Sequence, residues 1–246
     1  MTVDEGGVEA VVVPTHVGVQ REIVAEIEGY QKVIDGARAV LDSYRPHIPI
    51  NPDWPMVSLR EIAEITMGTS PPGETYNTKG DGVPLINGPV EFGPEAFSRT
   101  VINQYTTAPI RMCRKGDLIL CVRGATLGRM NIAGYDGAIG RGVAAIRSEN
   151  SQQWVEYCIN AMREMILSLG VGSTFPSITS EQLRELKIPL PPLDTQRAIV
   201  AEIEAEQALV DANRELVARM EKKIQGVLAR IWGDDEPEPM KSETSQ

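Results

Sequence analysis

Apolar residues in the first fifth of the chain recur in steps of four and three: Ile23, Ile27, Tyr30, Ile34, Ala37, Leu41 and Tyr44. This spacing predicts a helix over 20–44 with a narrow apolar seam, the pattern by which one helix meets another. Near the other end, Ile199, Ile203, Glu206, Val210, Asn213, Val217, Met220, Ile224, Val227 and Ile231 keep the same steps, and eight of these ten are apolar. A helix from 196 to 231 would be ~54 Å long at ~1.5 Å per residue. Asn213 in its seam would favour one register over others. Pro189, Pro191 and Pro192 impose an extended lead-in, after which Asp194 or Thr195 is placed to cap the helix. The first helix is expected to stop near Tyr44, before the extended Arg45-Pro46-His47-Ile48-Pro49.

The two helices share a sequence. Gln20-Arg21-Glu22-Ile23-Val24-Ala25-Glu26-Ile27-Glu28 returns as Gln196-Arg197-Ala198-Ile199-Val200-Ala201-Glu202-Ile203-Glu204, with eight of nine positions identical. Gln31/Gln207, Asp35/Asp211 and Arg38/Arg214 keep the same offset of 176 residues.

Between the helices the pattern changes. Short apolar runs (Val83–Ile86, Leu118–Val122, Gly142–Ile146) alternate with Gly- and Pro-rich turns such as Pro71-Pro72-Gly73, which predicts strands. Two shorter helices follow, over 151–168 and 180–186, the second opened by a Thr179-x-x-Gln182 capping box. The expected fold class is α+β: one globular α/β domain flanked by two long helices forming an antiparallel coiled coil. The divisions are a lead-in at 1–19, the first helix at 20–44, the globular domain at 45–190, the second helix at 191–232 and a disordered acidic tail at 233–246.

Composition narrows the class. The chain has 246 residues, 42% of them hydrophobic and 24% charged, as in ordinary globular proteins. No run approaches the ~18 apolar residues of a membrane span, and the N-terminus lacks the basic start of a signal peptide. Three cysteines without a CxxC pair point away from a zinc site or disulfide framework and toward a reducing cytoplasm. The net charge of −10 argues against indiscriminate coating of nucleic acid. Its distribution is uneven, however. Residues 99–147 carry Arg99, Arg111, Arg114, Lys115, Arg123, Arg129, Arg141 and Arg147 against only Asp117 and Asp136.

Catalytic patterns are sparse. His16 and His47 stand in linker-like segments without metal-ligand spacing around them. No GxSxG, HExxH or GxxxxGK[ST] occurs, and the glycines of Gly137–Gly142 fit turns better than a dinucleotide loop. Asn51-Pro52-Asp53-Trp54 looks like the Asn-Pro-Pro-aromatic loop of amino-methyltransferases. Asp53 replaces the second proline, no Gly-rich strand-turn-helix precedes it, and the segment reads as a linker turn. Neither an enzyme nor a cofactor is expected.

Three further stretches complete the pattern. They are Gly116-Asp117-Leu118-Ile119-Leu120 with Arg123-Gly124-Ala125-Thr126-Leu127-Gly128, then Ala138–Ile146, then Gly172-Ser173-Thr174-Phe175-Pro176-Ser177-Ile178-Thr179. With Ile188-Pro189-Leu190-Pro191-Pro192-Leu193 and Gln196-Arg197, they make the chain resemble the DNA-specificity subunit of type I restriction-modification systems over most of 15–232. The resemblance is to half a subunit with an additional helix, since that family alternates two recognition domains with two helices.

The resemblance implies a non-catalytic reader of double-stranded DNA that directs a separate N6-adenine methyltransferase, and a restriction subunit where one exists. The DNA contacts to expect are Tyr76, Asn77, Lys79, Asn87, Arg99, Arg111, Arg114, Lys115, Arg129, Arg141, Ser173 and Thr174. Gly124, Gly128 and Gly142 are expected to form turns, and Phe175 and Pro176 to pack. The paired helices would act as spacer and docking surface, and two chains could form a homodimer reading an inverted repeat. Two other readings stay open: a coiled-coil interaction scaffold with an incidental basic patch, and the detached recognition part of a fused restriction-methylation enzyme.

Overall fold

A computed structural model of the chain describes residues 17–44, 46–49, 51–170 and 176–232. Along the chain the elements are α1 (Val17–Ser43), β1 (Met56–Ser58), α2 (Leu59–Ile62), β2 (Glu64–Met67), β3 (Tyr76–Asn77) and β4 (Val83–Ile86). There follow β5 (Tyr105–Thr106), β6 (Met112–Cys113), β7 (Leu118–Cys121), β8 (Met130–Ile132), β9 (Gly137–Ile139) and β10 (Val143–Arg147). The remainder holds α3 (Gln152–Ala161), α4 (Arg163–Leu169), α5 (Ser180–Arg184), β11 (Lys187–Pro189) and α6 (Leu193–Trp232). These elements divide between two compact units. One runs from Pro46 to Glu204, and the other combines the residues before it with those after it.

The Pro46–Glu204 unit is built on two sheets that share a core. A four-stranded antiparallel sheet has the order β2-β10-β7-β8. A five-stranded sheet has the order β3-β5-β4-β9-β6, with β4 and β9 parallel. The apolar runs of β7 and β10 are continuous because both strand faces are covered. Leu118, Leu120, Ala144 and Ile146 face one cluster with Trp154, Val155 and Ile159 of α3 and Ile199, Val200 and Ile203 of α6. Their alternates Ile119, Cys121, Val143 and Ala145 face a second cluster with Ile86 and Ile139 of the other sheet. A small β1–β11 ladder joins the two ends of the unit. Trp154 Nε1 donates to the Pro189 carbonyl at 2.8 Å, and Trp54 stacks edge-on against Trp154.

The unit's end boundary is set by packing. Ile199, Val200 and Ile203 are 8%, 7% and 2% exposed in its core. The first turns of α6 therefore belong to the globular unit, whereas the sequence divides it from the helix at 190.

In the helical unit, α1 and the later turns of α6 run antiparallel. Tyr44 Oη donates to Glu206 Oε2 (3.1 Å), Arg38 pairs with Glu221 (2.6 Å) and Arg230 with Glu26 (3.1 Å), while Lys223 Nζ lies 5.3 Å from the Tyr30 ring centre. Ile34 and Ala37 are buried on α1, and Val210 and Val227 on α6. Ile23, Ile27, Tyr30, Leu41, Asn213, Val217, Met220 and Ile224 are half-buried on the same faces.

Three local expectations change. The α6 helix begins at Leu193, so Asp194 lies inside its first turn rather than at its cap. The Gln196 N–H, bonded to the Pro192 carbonyl at 3.0 Å, already belongs to the helical ladder. The single helix over 151–168 is two, broken at Met162, whose φ of −91° and ψ of 10° leave the helical region. Asn213 donates to the Leu209 carbonyl of its own helix at 2.9 Å, which satisfies its amide locally instead of fixing a register across the seam. The Thr179 box forms in full: Gln182 N donates to Thr179 Oγ1, and Thr179 N to Gln182 Oε1.

Candidate nucleic-acid interface

The expected contacts fall into separate groups on the globular unit. The first forms where β4 and β9 end. The Ile139 N–H donates to the Arg111 carbonyl (2.9 Å) and the Gly140 N–H to the Ile86 carbonyl (2.8 Å). Arg111, Asn87 and Arg141 are thereby gathered at one end of the five-stranded sheet. Arg111 also lines a groove of about 670 Å³ along β2, with Arg60, Arg184, Thr66, Thr69 and Ser180. Arg60 and Arg184 are outside the basic stretch, and no sequence signal near either one indicates that they share a groove with Arg111.

Tyr76, Asn77 and Lys79 form a second group, on β3 and the loop after it. Asn77 organises that loop: its Oδ1 accepts from the N–H groups of Lys79 and Asp81, and its Nδ2 donates to the Asp81 carbonyl. Its amide serves a turn more directly than a base edge.

The turn before β7 holds Arg114 and Lys115, both exposed. Arg114 N donates to Asp117 Oδ2 (2.8 Å) and Lys115 N to Asp136 Oδ1 (2.6 Å), so backbone bonds fix the turn while the cationic ends project. Asp117 is 2% exposed and accepts two bonds of 2.7 Å from the Arg147 guanidinium. That forked contact raises the Arg147 pKa and cancels the two charges inside the protein. Arg147 is thus structural, and the surplus positive charge of 99–147 rests on the exposed Arg99, Arg111, Arg114, Lys115, Arg123 and Arg141, with Arg129 half-buried.

Arg99 and Arg129 are set apart from these. Arg99 bridges to Ile132 at the end of β8, and Arg129 precedes its start, in a small groove with Arg163 and Asn160. Gly124 and Gly128 turn the chain with φ of +78° each, a region that favours glycine. Gly142 is instead held by close approach, since a Cβ there would lie 2.9 Å from the Asn87 carbonyl oxygen. Ser173, Thr174 and Phe175, like His16, lie outside the described residues.

Other chemistry is limited among the described residues. No group of three or more His, Cys, Asp and Glu side chains is placed to hold a metal ion. Cys113, Cys121 and Cys158 are buried and free; burial pushes their thiols up to about 11, 11 and 12, which leaves them unreactive at neutral pH. Asn51-Pro52-Asp53-Trp54 is a closed turn, with Trp54 N donating to the Asn51 carbonyl (3.0 Å) and Asp53 N to Asn51 Oδ1 (2.9 Å). Among the described residues, no helix is long and apolar enough to cross a membrane.

Residues 51–221 match the family described as the type I restriction modification DNA specificity domain. The MjaX type I restriction enzyme specificity subunit of Methanocaldococcus jannaschii is 36% identical over 184 residues, which cover 72% of this chain and 42% of that one. The HsdS subunit of Thermoanaerobacter tengcongensis is 29% identical with a TM-score of 0.60, covering 89% of this chain and 55% of its own. A chain from a structural study of complex assembly and conformational transition in the type I R-M system is 30% identical with a TM-score of 0.64, covering 91% and 61%. The chain spans about half the length of these relatives.

Proposed function

The chain belongs to the type I restriction-modification DNA specificity family, and from that premise we propose that it reads double-stranded DNA for enzymes carried by other subunits. Its globular unit selects a target sequence, and a separate N6-adenine methyltransferase, with a restriction subunit where present, acts at the site selected. The chain itself is non-catalytic and works in the cytoplasm. The helix pair serves as spacer and docking surface, and a C2 homodimer would present two readers to an inverted repeat.

The observation that carries this reading is the coincidence of the matched family domain with the unit bearing the exposed arginines and Lys115 of 99–147. Phosphate contacts from such side chains position a duplex, and base-edge contacts then choose the sequence. Each phosphate neutralised should contribute a slope of about −0.9 to the dependence of log affinity on log salt.

The test measures binding to random-sequence duplex DNA at low and moderate salt, with and without a methyltransferase subunit. A steep salt dependence is the expected result. A salt-insensitive failure to bind in both arms would support the interaction-scaffold reading instead. For the dimer, sedimentation as a clean monomer at micromolar concentration is the contrary result.

A further inference from the structure

Three segments of chain interlock where β9 turns into β10. Thr69 N donates to the Ile139 carbonyl (3.0 Å) and Gly68 N to the Val143 carbonyl (2.9 Å) from one side. From the other, the Ile86 carbonyl accepts from Gly140 N, and the turn closes on itself through Val143 N and the Gly140 carbonyl (3.1 Å). Contact is close: a Cβ on Gly68 would lie 2.1 Å from the Gly140 carbonyl oxygen, and one on Gly140 would lie 2.0 Å from the Asn87 side-chain oxygen and 3.1 Å from Asn87 Cα. Glycine is required at Gly68 by backbone proximity rather than for flexibility.

The residue presented by this knot is Arg141. Its N–H donates to Ser70 Oγ at 3.3 Å, its side chain is exposed, and no carboxylate among the described residues pairs with it. Arg147 differs, because its fork is filled by Asp117.

A phosphate contact needs only a cation within reach, which a mobile surface arginine supplies. Base reading needs the side chain rooted within about 0.5 Å of its working position. A backbone braced from both sides meets that second demand. The guanidinium fork matches the O6 and N7 acceptors that guanine shows in the major groove. We propose that Arg141 is a sequence-reading residue that selects a guanine in the target site, an inference that rests on the DNA-reading function above.

The test selects duplexes from a randomised pool with the full chain, as wild type, Arg141→Ala and Arg141→Lys. Affinities are then measured for the selected duplex and for a scrambled one at fixed salt. Wild type should enrich a motif containing a fixed guanine. Arg141→Ala should lose the preference at that single position and bind the selected duplex roughly 5- to 150-fold more weakly, while binding to the scrambled duplex barely moves. Arg141→Lys should restore little, because an ammonium offers a point charge in place of a fork. The melting temperatures of both variants should match wild type, since the side chain is exposed.

Equal weakening on both duplexes would make Arg141 a phosphate contact and overturn the assignment while leaving the DNA-reading function standing. An unchanged motif in Arg141→Ala would do the same. A wild-type chain that enriches no sequence would overturn that function and this assignment together.

Discussion

The two copies of the nine-residue repeat are nearly the same peptide in two different surroundings. Val200 in the second copy is 7% exposed in the core of the globular unit, whereas Val24 at the matching position of the first is 52% exposed. Both are helical, and both keep their isoleucines off the most open face. A shared sequence thus carries a shared secondary structure and a shared stripe, while the depth of burial depends on what the fold brings against it. The ion pairs show the same contrast between regions. The globular unit contains the Asp117–Arg147 fork, with an Asp117 side chain only 3% exposed. In the helical unit the Arg38 and Glu221 side chains are 53% and 49% exposed.

Four experiments measure this contrast. The largest effect is expected from Asp117→Asn, which leaves the Arg147 guanidinium only the exposed Glu64 carboxylate (3.2 Å) as a charge partner and should cost about 3–5 kcal/mol in denaturant unfolding. A loss below about 1 kcal/mol, the range of exposed pairs, would erase the distinction between the two regions. Next comes the repeat itself. Val200→Ala should cost about 2 kcal/mol through lost burial and a cavity, whereas Val24→Ala should stay within about 0.5 kcal/mol. Equal losses would mean that the two copies are buried alike.

The third concerns Glu156 on α3, beside Glu204, the last residue of the second copy. Burial, outweighing the bond donated by Gln152, pushes the Glu156 carboxyl up from 4.5 to about 7, and Glu204 adds to the rise. The folded state therefore holds a proton that the unfolded state has released, so stability falls as pH rises from about 4.5 to about 7. Glu156→Gln should flatten that slope and stabilise the protein at pH 8 by on the order of 1–2 kcal/mol. A wild-type stability that rises across the same pH window would contradict the burial of this carboxyl.

The smallest effect belongs to the exposed Arg38–Glu221 pair. A double-mutant cycle should return a coupling of about 0.2–1 kcal/mol that fades in high salt. A coupling of several kcal/mol would show that this pair is desolvated like Asp117–Arg147.

Much of the architecture was legible because long-range order has a local signature here. The 3.5-residue stripes, the duplicated Gln-Arg-x-Ile-Val-Ala-Glu-Ile-Glu and the Thr179 box each state an element through residues close in sequence. The runs at β4, β7 and β10 are legible because strands covered on both faces read as uninterrupted apolar sequence. Strands of two or three residues, such as β3, β5 and β6, are too short to show a period. The break at Met162 carries neither glycine nor proline to announce it. The candidate interface was the least legible part. Arg60 and Arg184 share a groove with Arg111 only through the path of β2 and the packing of α5.

The sequence by itself determined that this protein has two matched amphipathic helices around an α+β segment with a cationic stretch. Helical period, capping and turn chemistry act over a few residues, so they are written in order along the chain. Tertiary structure decided which copy of the repeat is sunk into a core, that Arg147 is spent on Asp117, and that Asn87, Arg111 and Arg141 share one end of a sheet. Those outcomes depend on contacts between segments tens of residues apart, where burial and close backbone approach fix each side chain's partners.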